Sequence, residues 1–429
     1  MIVPDGYLDA LRAEIERLAD AMGVFLGRAS ADEVEALHGA FAQPFSPANP
    51  EHAVHELVAA WTLKRVSARD DEQTELDIGH LWHEIERLLV GLLDDAVHGG
   101  VDPSGTIFGF EKYEVFDVQW IEYLIGWLEH SPSSGKIAEL PTGGVVVEIA
   151  DDTTIAVVGD WGTGVDYPTQ SAAHVAAAIR TASPDYSVHL GDVYYAGADQ
   201  EQHFLDPWGP AAGRFGSFAL NSNHDMYDGA NGYVHITLQD PRFHLHQQAR
   251  THFALHNSSW TVVGLDTAGP ASWKHLYMKG DVDDDQLAFL AEQVATGKGL
   301  ILLTHHQGLD DTTSAPNDPL YSKIVACVEA HRLGDGPWYW YWGHIHAGYV
   351  HTDDVAPFRG RCAGHGGIPW GRARGLERSA GIRWHEQTPS TIGSHRVTNG
   401  FALLTLHGDR LDERFVDETG AVTYTVPDA

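Results

Sequence analysis

Leu8, Leu11, Ile15 and Leu18 recur every third or fourth residue with Asp, Glu and Arg between them, the pattern of a helix that buries one face. Leu81, Ile85, Leu88 and Leu92 repeat that stripe in a run without proline. A third apolar and aromatic segment, from Val118 to His130, stops at Ser131-Pro132-Ser133-Ser134-Gly135. Together with Leu140-Pro141-Thr142-Gly143-Gly144, that stop is the best candidate linker. From Val145 the texture changes to short β-rich runs, each closed by small or charged residues. Helical patterns at 171–180 and 284–294 fall between them. Strands alternating with helices predict an α/β domain with a buried sheet, and 401–426 reads as antiparallel strands. The expected organisation is a helical domain over 1–144, of no legible role, and an α/β domain over 145–429.

Charge narrows the function classes. Lys and Arg number 27 against 60 Asp and Glu, a formal net charge of −33. Such a surface disfavours nucleic acid, which is held by cationic side chains meeting phosphates, and it disfavours anionic membranes. The two cysteines, Cys327 and Cys362, rule out a disulfide framework. The N-terminal residues carry acids where a secretory leader would carry a basic and then an apolar stretch, so a cytoplasmic protein is expected. The 27 histidines raise the question of whether they are scattered or placed.

Several are placed. The run ending at Gly159 is followed by Asp160-Trp161-Gly162, and the run ending at Gly191 by Asp192-Val193-Tyr194-Tyr195. Phe218-Ala219-Leu220-Asn221-Ser222 leads to Asn223-His224-Asp225. The run ending at Thr304 leads to His305-His306, and Trp338–Gly343 to His344-Ile345-His346. Five successive loops set a carboxylate, amide, phenol or imidazole just past a strand, the edge where open α/β sheets bind ligands. A donor set of O and N without thiolate suits Zn, Mn or Fe.

This ordered pattern resembles the calcineurin-like metallophosphoesterase superfamily, and in detail its purple acid phosphatase branch. The likeness spans roughly residues 150 to 415. Most of the superfamily has a His where Gly162 stands. The purple acid phosphatase branch omits it and supplies a Tyr three residues after the second Asp, where this chain has Tyr195. The resemblance implies an α/β/β/α sandwich and two metal ions. Asp160, Asp192, Tyr195 and His346 would hold the first; Asp192, Asn223, His305 and His344 would hold the second, with Asp192 shared. A phenolate ligand favours iron at the first position, with Zn, Mn or Fe beside it. Ser222 stands where the family motif has Gly, so a backbone angle reserved for Gly would strain this loop. His306 adjoins His305; a strand-end pair points to opposite faces, and the family spacing favours His305.

Such a pair of cations, about 3.5–4 Å apart, needs a shared carboxylate and generates hydroxide near neutral pH for in-line attack on phosphorus. His224 then serves as the acid that protonates the leaving oxygen, with Asp225 orienting its ring. The expectation is a hydrolase of small phosphate monoesters or diesters. The rival from another class is a metal-stabilised regulatory module whose helical part engages a protein partner or a second copy. His365 is read either as a contact to substrate phosphate or as a turn residue. The tryptophans at 338, 340 and 342 are read as core, and the His80-to-Glu84 cluster as lacking partners for a metal.

Overall fold

A computed structural model describes residues 7–41, 58–60, 62–63, 66, 118–161, 171–368, 376–377, 379–392 and 396–427. The stripe from Leu81 to Leu92, the His80-to-Glu84 cluster and Gly162 lie outside the described residues. Among the described residues no helix is long and apolar enough to cross a membrane.

The helix Tyr7–Arg28 follows its apolar stripe, with Leu11, Ile15, Leu18, Met22 and Phe25 buried. Ser30 and Glu33 cap the next helix, Ala31–Phe41, reciprocally: each side chain bonds the other's backbone N–H, at 3.3 and 2.8 Å. The segment from Val118 is helical, a short 3-10 turn leading into the helix Glu122–Glu129. The stretch between that helix and the first strand is tied down along its length. Ala138 N–H donates to the Gly229 carbonyl at 2.8 Å, and Gly143 N–H to Asp285 at 2.7 Å.

The strands among the described residues are β1 (Val145–Glu148), β2 (Asp152–Val158), β3 (Tyr186–His189), β4 (Gly216–Ala219), β5 (Phe253–His256), β6 (Trp260–Gly264), β7 (Gly299–Thr304), β8 (Trp338–Trp342), β9 (Gly348–His351), β10 (Arg359–Ala363), β11 (Ile382–His385), β12 (Gly400–His407), β13 (Arg410–Asp417) and β14 (Val422–Thr425). They form two sheets, ordered β14-β13-β12-β2-β3-β4 and β1-β5-β6-β7-β8-β10-β9-β11. Strands β2, β3 and β4 run parallel, as do β6, β7 and β8. The C-terminal strands β12, β13 and β14 are antiparallel, as their pattern predicts.

Alternation along the strands builds four layers. Ile155 and Val157 of β2 meet Ile301 and Leu303 of β7 in the layer between the sheets. Ala156 and Val158 face outward, onto the helix Ser171–Ala182 and the N-terminal helices. In β8, Trp338, Trp340 and Trp342 pack outward against the helices Asp284–Val294 and Leu320–His331, while Tyr339 and Tyr341 enter the inter-sheet layer. The aromatic run is therefore core on both faces, as its alternation suggests. Burying each such side chain contributes about 1.5–3 kcal/mol. The architecture is an α/β/β/α sandwich.

Candidate metal centre

The parallel strands of the two sheets deliver their carboxyl ends to one edge of the sandwich. Bonds made just past the strands join the sheets there: Gly159 N–H to the Ala363 carbonyl at 2.8 Å, and His344 N–H to Asp160 Oδ2 at 2.8 Å. Asp160 and Asp192 follow β2 and β3, and Asn223 and His224 follow β4. His305 follows β7, and His344 and His346 follow β8. One sheet brings the carboxylates, the amide and the His224 ring; the other brings the imidazoles of His305, His344 and His346.

The turns that carry them are unusual. Asp160, Asp192, His344 and His346 hold φ of 56, 72, 69 and 52°. Side chains other than Gly rarely take this left-handed region, at about 1–3 kcal/mol each, and such residues gather where surroundings over-determine geometry for function. Gly343 and Gly364 crowd Asp160 so closely that a Cβ on either would stand 2.7 or 2.5 Å from Oδ2. Glycine is needed at both.

Two groups of donor atoms result, joined by Asp192. In the first, His346 Nε2 lies 3.3 Å from Asp160 Oδ1 and 3.6 Å from Asp192 Oδ2. The Tyr194 hydroxyl sits 2.7 Å from Asp192 Oδ2 and 2.6 Å from His346 Nε2. In the second, His305 Nε2 lies 3.1 Å from Asp192 Oδ1 and 2.8 Å from Asn223 Oδ1, with the His344 ring 5.0 Å from that of His305. The two oxygens of Asp192 thus face different groups, the arrangement of a bridging carboxylate.

These residues fit a cation. Ligand atoms of Asp160, Asp192 and His346 all lie within 4.8 Å of one another, and all three residues are buried. Burial works to raise the Asp192 pKa, yet the imidazoles of His305 and His224 outweigh it and hold the carboxyl well below its usual range. The Tyr194 hydroxyl is pushed well above its ordinary value by burial and then by the Asp192 and Asp160 carboxylates. A metal ion placed among them reverses that trend and favours phenolate.

The two adjacent histidines differ in what their nitrogens do. His305 Nδ1 is 3.0 Å from the Leu190 carbonyl, which fixes the tautomer and leaves the Nε2 lone pair facing Asp192 and Asn223. His306 falls in the same proximity cluster as His305 and His344. Both of its nitrogens are nevertheless engaged, Nε2 with the Tyr277 carbonyl at 2.8 Å and Nδ1 with Thr267 Oγ1 at 2.9 Å. A nitrogen that donates to a carbonyl has no lone pair to give, so His306 Nε2 is spent on Tyr277.

Other expected residues are placed differently from the sequence reading. It is the Tyr194 hydroxyl that reaches Asp192 and His346. Tyr195 contributes its carbonyl, the acceptor for His224 Nδ1 at 2.5 Å, while its ring packs against Trp120 and His203. The Asp225 carboxylate turns to other partners than the His224 ring: it accepts from Gln200 Nε2 at 2.9 Å and from Ser222 Oγ at 2.5 Å. Burial raises its pKa to about 7. Ser222 is extended, at φ −137°, and serves as N-cap of the helix Asn223–Tyr227, so the absence of Gly there costs nothing. His365 is buried, its ring packed beside Gly348 and Gly400, and burial pushes its pKa down to about 3.

His224 is enclosed by aromatic rings: Tyr194 at 4.4 Å, Tyr227 at 5.1 Å, Trp120 at 6.0 Å and Tyr123 at 6.3 Å between centroids. With Nδ1 held by the Tyr195 carbonyl, Nε2 is the nitrogen left to carry a proton. Burial pushes its pKa down to about 4 against the opposing pull of Asp192. Trp120 and Tyr123 precede the β-rich part of the chain, and their apolar spacing alone gave no sign of a place at this site.

Buried carboxylates, a phenol, an amide and imidazoles gather around one shared Asp, a donor set that could hold metal ions. No protein-family model and no curated protein matches the chain. Among solved structures it is similar to GAP50, the anchor in the inner membrane complex of Plasmodium, at 15% identity, TM-score 0.44, over 64% of this chain and 88% of that one. It is similar to a dimetal phosphatase from Danio rerio at 12% identity, TM-score 0.41, over 62% and 96%. A protein of Thermus thermophilus aligns at 12% identity, TM-score 0.34, over 61% and 98%. At these values none of the three says what this chain does; its chemistry has to be read from its own side chains.

Proposed function

We propose that this chain is a dinuclear metal-dependent hydrolase of small phosphate esters, a member of the calcineurin-like metallophosphoesterase superfamily with the tyrosine-ligated centre of its purple acid phosphatase branch. The observation that carries this reading is Asp192, whose two oxygens face two separate donor groups beside a histidine with one free nitrogen. Asp160, His346 and the Tyr194 phenol would hold one cation, and Asn223, His305 and His344 the other, with Asp192 between them. Iron suits the phenolate position and Zn, Mn or Fe its neighbour. When bound, the two cations supply Lewis acidity, lowering the pKa of water and screening the charge of the phosphoryl group.

The chain's own residues do the rest. Asp192 and Asp160 offset the repulsion of the cations, and the Leu190 carbonyl keeps His305 in the tautomer that binds. His224 donates its Nε2 proton to the leaving oxygen as the phosphorus–oxygen bond breaks, and the bonding pair stays on that oxygen. Burial keeps its proton affinity low, and a phosphate dianion brought against Nε2 would raise it. The acidic surface disfavours long polyanions, so a small phosphomonoester, diester or nucleotide is the substrate class.

The test is turnover of p-nitrophenyl phosphate and bis(p-nitrophenyl) phosphate by metal-loaded protein, in wild type and in Asp192→Asn and His224→Ala. Loss of turnover in Asp192→Asn, and in His224→Ala a loss felt most by an alkyl phosphate assayed alongside, supports the reading. Two bound metals with no turnover of either ester would leave a metal-stabilised interaction module instead.

A further inference from the structure

We infer that Trp120 is a positioning residue for proton donation: it holds His224 and the backbone that orients it, and so makes the N-terminal part of the chain a structural component of the active site. The inference rests on His224 acting as the acid.

Trp120 is 5% exposed and sits in a small apolar cluster with Tyr194, Tyr195 and Ile368. Its ring meets Tyr194 at 5.0 Å, Tyr195 at 5.4 Å and His224 at 6.0 Å, all edge to face. These three contacts have distinct consequences. Tyr195 supplies the carbonyl that fixes His224 Nδ1, Tyr194 supplies the hydroxyl beside Asp192, and His224 carries the proton. One indole therefore braces the acid, its orienting acceptor and the neighbouring phenol together. Tyr123, one helical turn on, closes the other side, 6.3 Å from His224 and 5.4 Å from Tyr227.

The helix that carries Tyr123 is anchored at contact distance. A Cβ on Gly126 would stand 2.8 Å from the Tyr227 carbonyl oxygen, so only Gly lets the helix Glu122–Glu129 lie against Asn223–Tyr227. Edge-to-face aromatic contacts are worth about 0.5–1.5 kcal/mol each beyond burial, and three of them restrain a ring that otherwise has two soft torsions. Removing the indole lets His224 swing from the leaving oxygen and admits water, and general-acid catalysis is sensitive to both.

The test compares esters that need the acid with esters that do not. A nitrophenolate leaves without a proton, whereas an alkoxide does not, so a misplaced acid is felt by alkyl esters. In Trp120→Ala, kcat for an alkyl phosphate should fall on the order of 10-fold further than kcat for p-nitrophenyl phosphate, part of the roughly 10²–10⁴-fold that a working general acid supplies. Trp120→Phe should restore most of the gap. A second readout needs no turnover: in metal-free protein, site-resolved diethylpyrocarbonate labelling of His224 should be slow in wild type and fast in Trp120→Ala. Equal losses on both esters, or unchanged labelling, would overturn the inference. Should the alanine variant fail to fold, Trp120→Leu keeps apolar bulk without the flat wall and is read in the same way. A wild type inert towards both esters would sink the proposed function, while the labelling result would still decide whether Trp120 shields His224.

Discussion

Trp127 and Trp273 hold each other twice. Their rings stack at 4.4 Å and 14°, and each indole N–H donates to the other's backbone carbonyl at 3.0 Å. The pair fastens the helix Glu122–Glu129 to the loop that runs on to Met278, whose sulfur lies 3.6 Å from Asn223 Nδ2. Trp127→Ala should cost about 3–5 kcal/mol in urea unfolding, the range for deleting a buried large aromatic. Trp127→Phe keeps most of the stack and loses one hydrogen bond, so a loss nearer 1 kcal/mol from that bond is expected. Identical losses in the two variants would mean that the stacked ring contributes nothing beyond its hydrogen bond, and no loss in Trp127→Phe would mean that the bond does not matter.

Neighbouring tyrosines should separate spectroscopically. Iron-loaded wild type is expected to show a visible phenolate charge-transfer band, lost in Tyr194→Phe and kept in Tyr195→Phe, because the Tyr194 hydroxyl is the one beside Asp192 and His346. The opposite outcome would restore Tyr195 as the ligand, three residues after Asp192.

The histidine pair divides in the same manner. His305→Ala should lower the bound metal by about one ion per chain in elemental analysis, as expected for loss of a ligand. His306→Ala should keep the metal but lose stability by roughly 1–3 kcal/mol, since it strips the Tyr277 carbonyl and Thr267 hydroxyl of their partner. Metal loss in His306→Ala would reverse the assignment.

Asp225 is expected to act on the loop and not on the proton. Asp225→Asn should lower the thermal midpoint, by disturbing the Gln200 and Ser222 bonds, more than it lowers kcat. A kcat loss equal to that of His224→Ala would place Asp225 in the proton path.

Acid should unfold this protein through histidines far from the surface. Burial pushes His189 down to about 3 and His351 to about 4, from an ordinary 6.5. Between those values the unfolded chain takes up protons that the folded chain refuses. Stability therefore holds above about pH 6.5 and falls as pH drops, on the order of 1 kcal/mol per pH unit for each such ring. Unfolding midpoints measured from pH 7 to pH 4 should decline steadily. A flat profile, or one unaffected by His351→Gln, would count against it.

Much of this was legible along the chain. Asp160, Asp192, Asn223, His305, His344 and His346 each follow a β-rich run, and strands whose carboxyl ends share one edge must bring such residues together. Tyr194 was not, because a one-residue difference in a turn exchanges which of two like neighbours points inward. His224's orienting acceptor was not either, since a backbone carbonyl leaves no mark in the sequence.

The sequence by itself determined an α/β domain with a buried sheet and the order of the polar residues at its strand ends, because periodicity and strand-end residues are local properties of the chain, while the sandwich was legible only as what the family resemblance implies. Only the tertiary structure decided how those residues divide their work. Which nitrogen of His305 or His306 is spent and which carbonyl orients His224 depend on contacts across 29 to 115 positions of sequence, from Tyr195 to His224 and from Leu190 to His305. The place of Trp120 beside the proton donor belongs with them, for nothing in an apolar helical stripe says which face of the molecule it will meet.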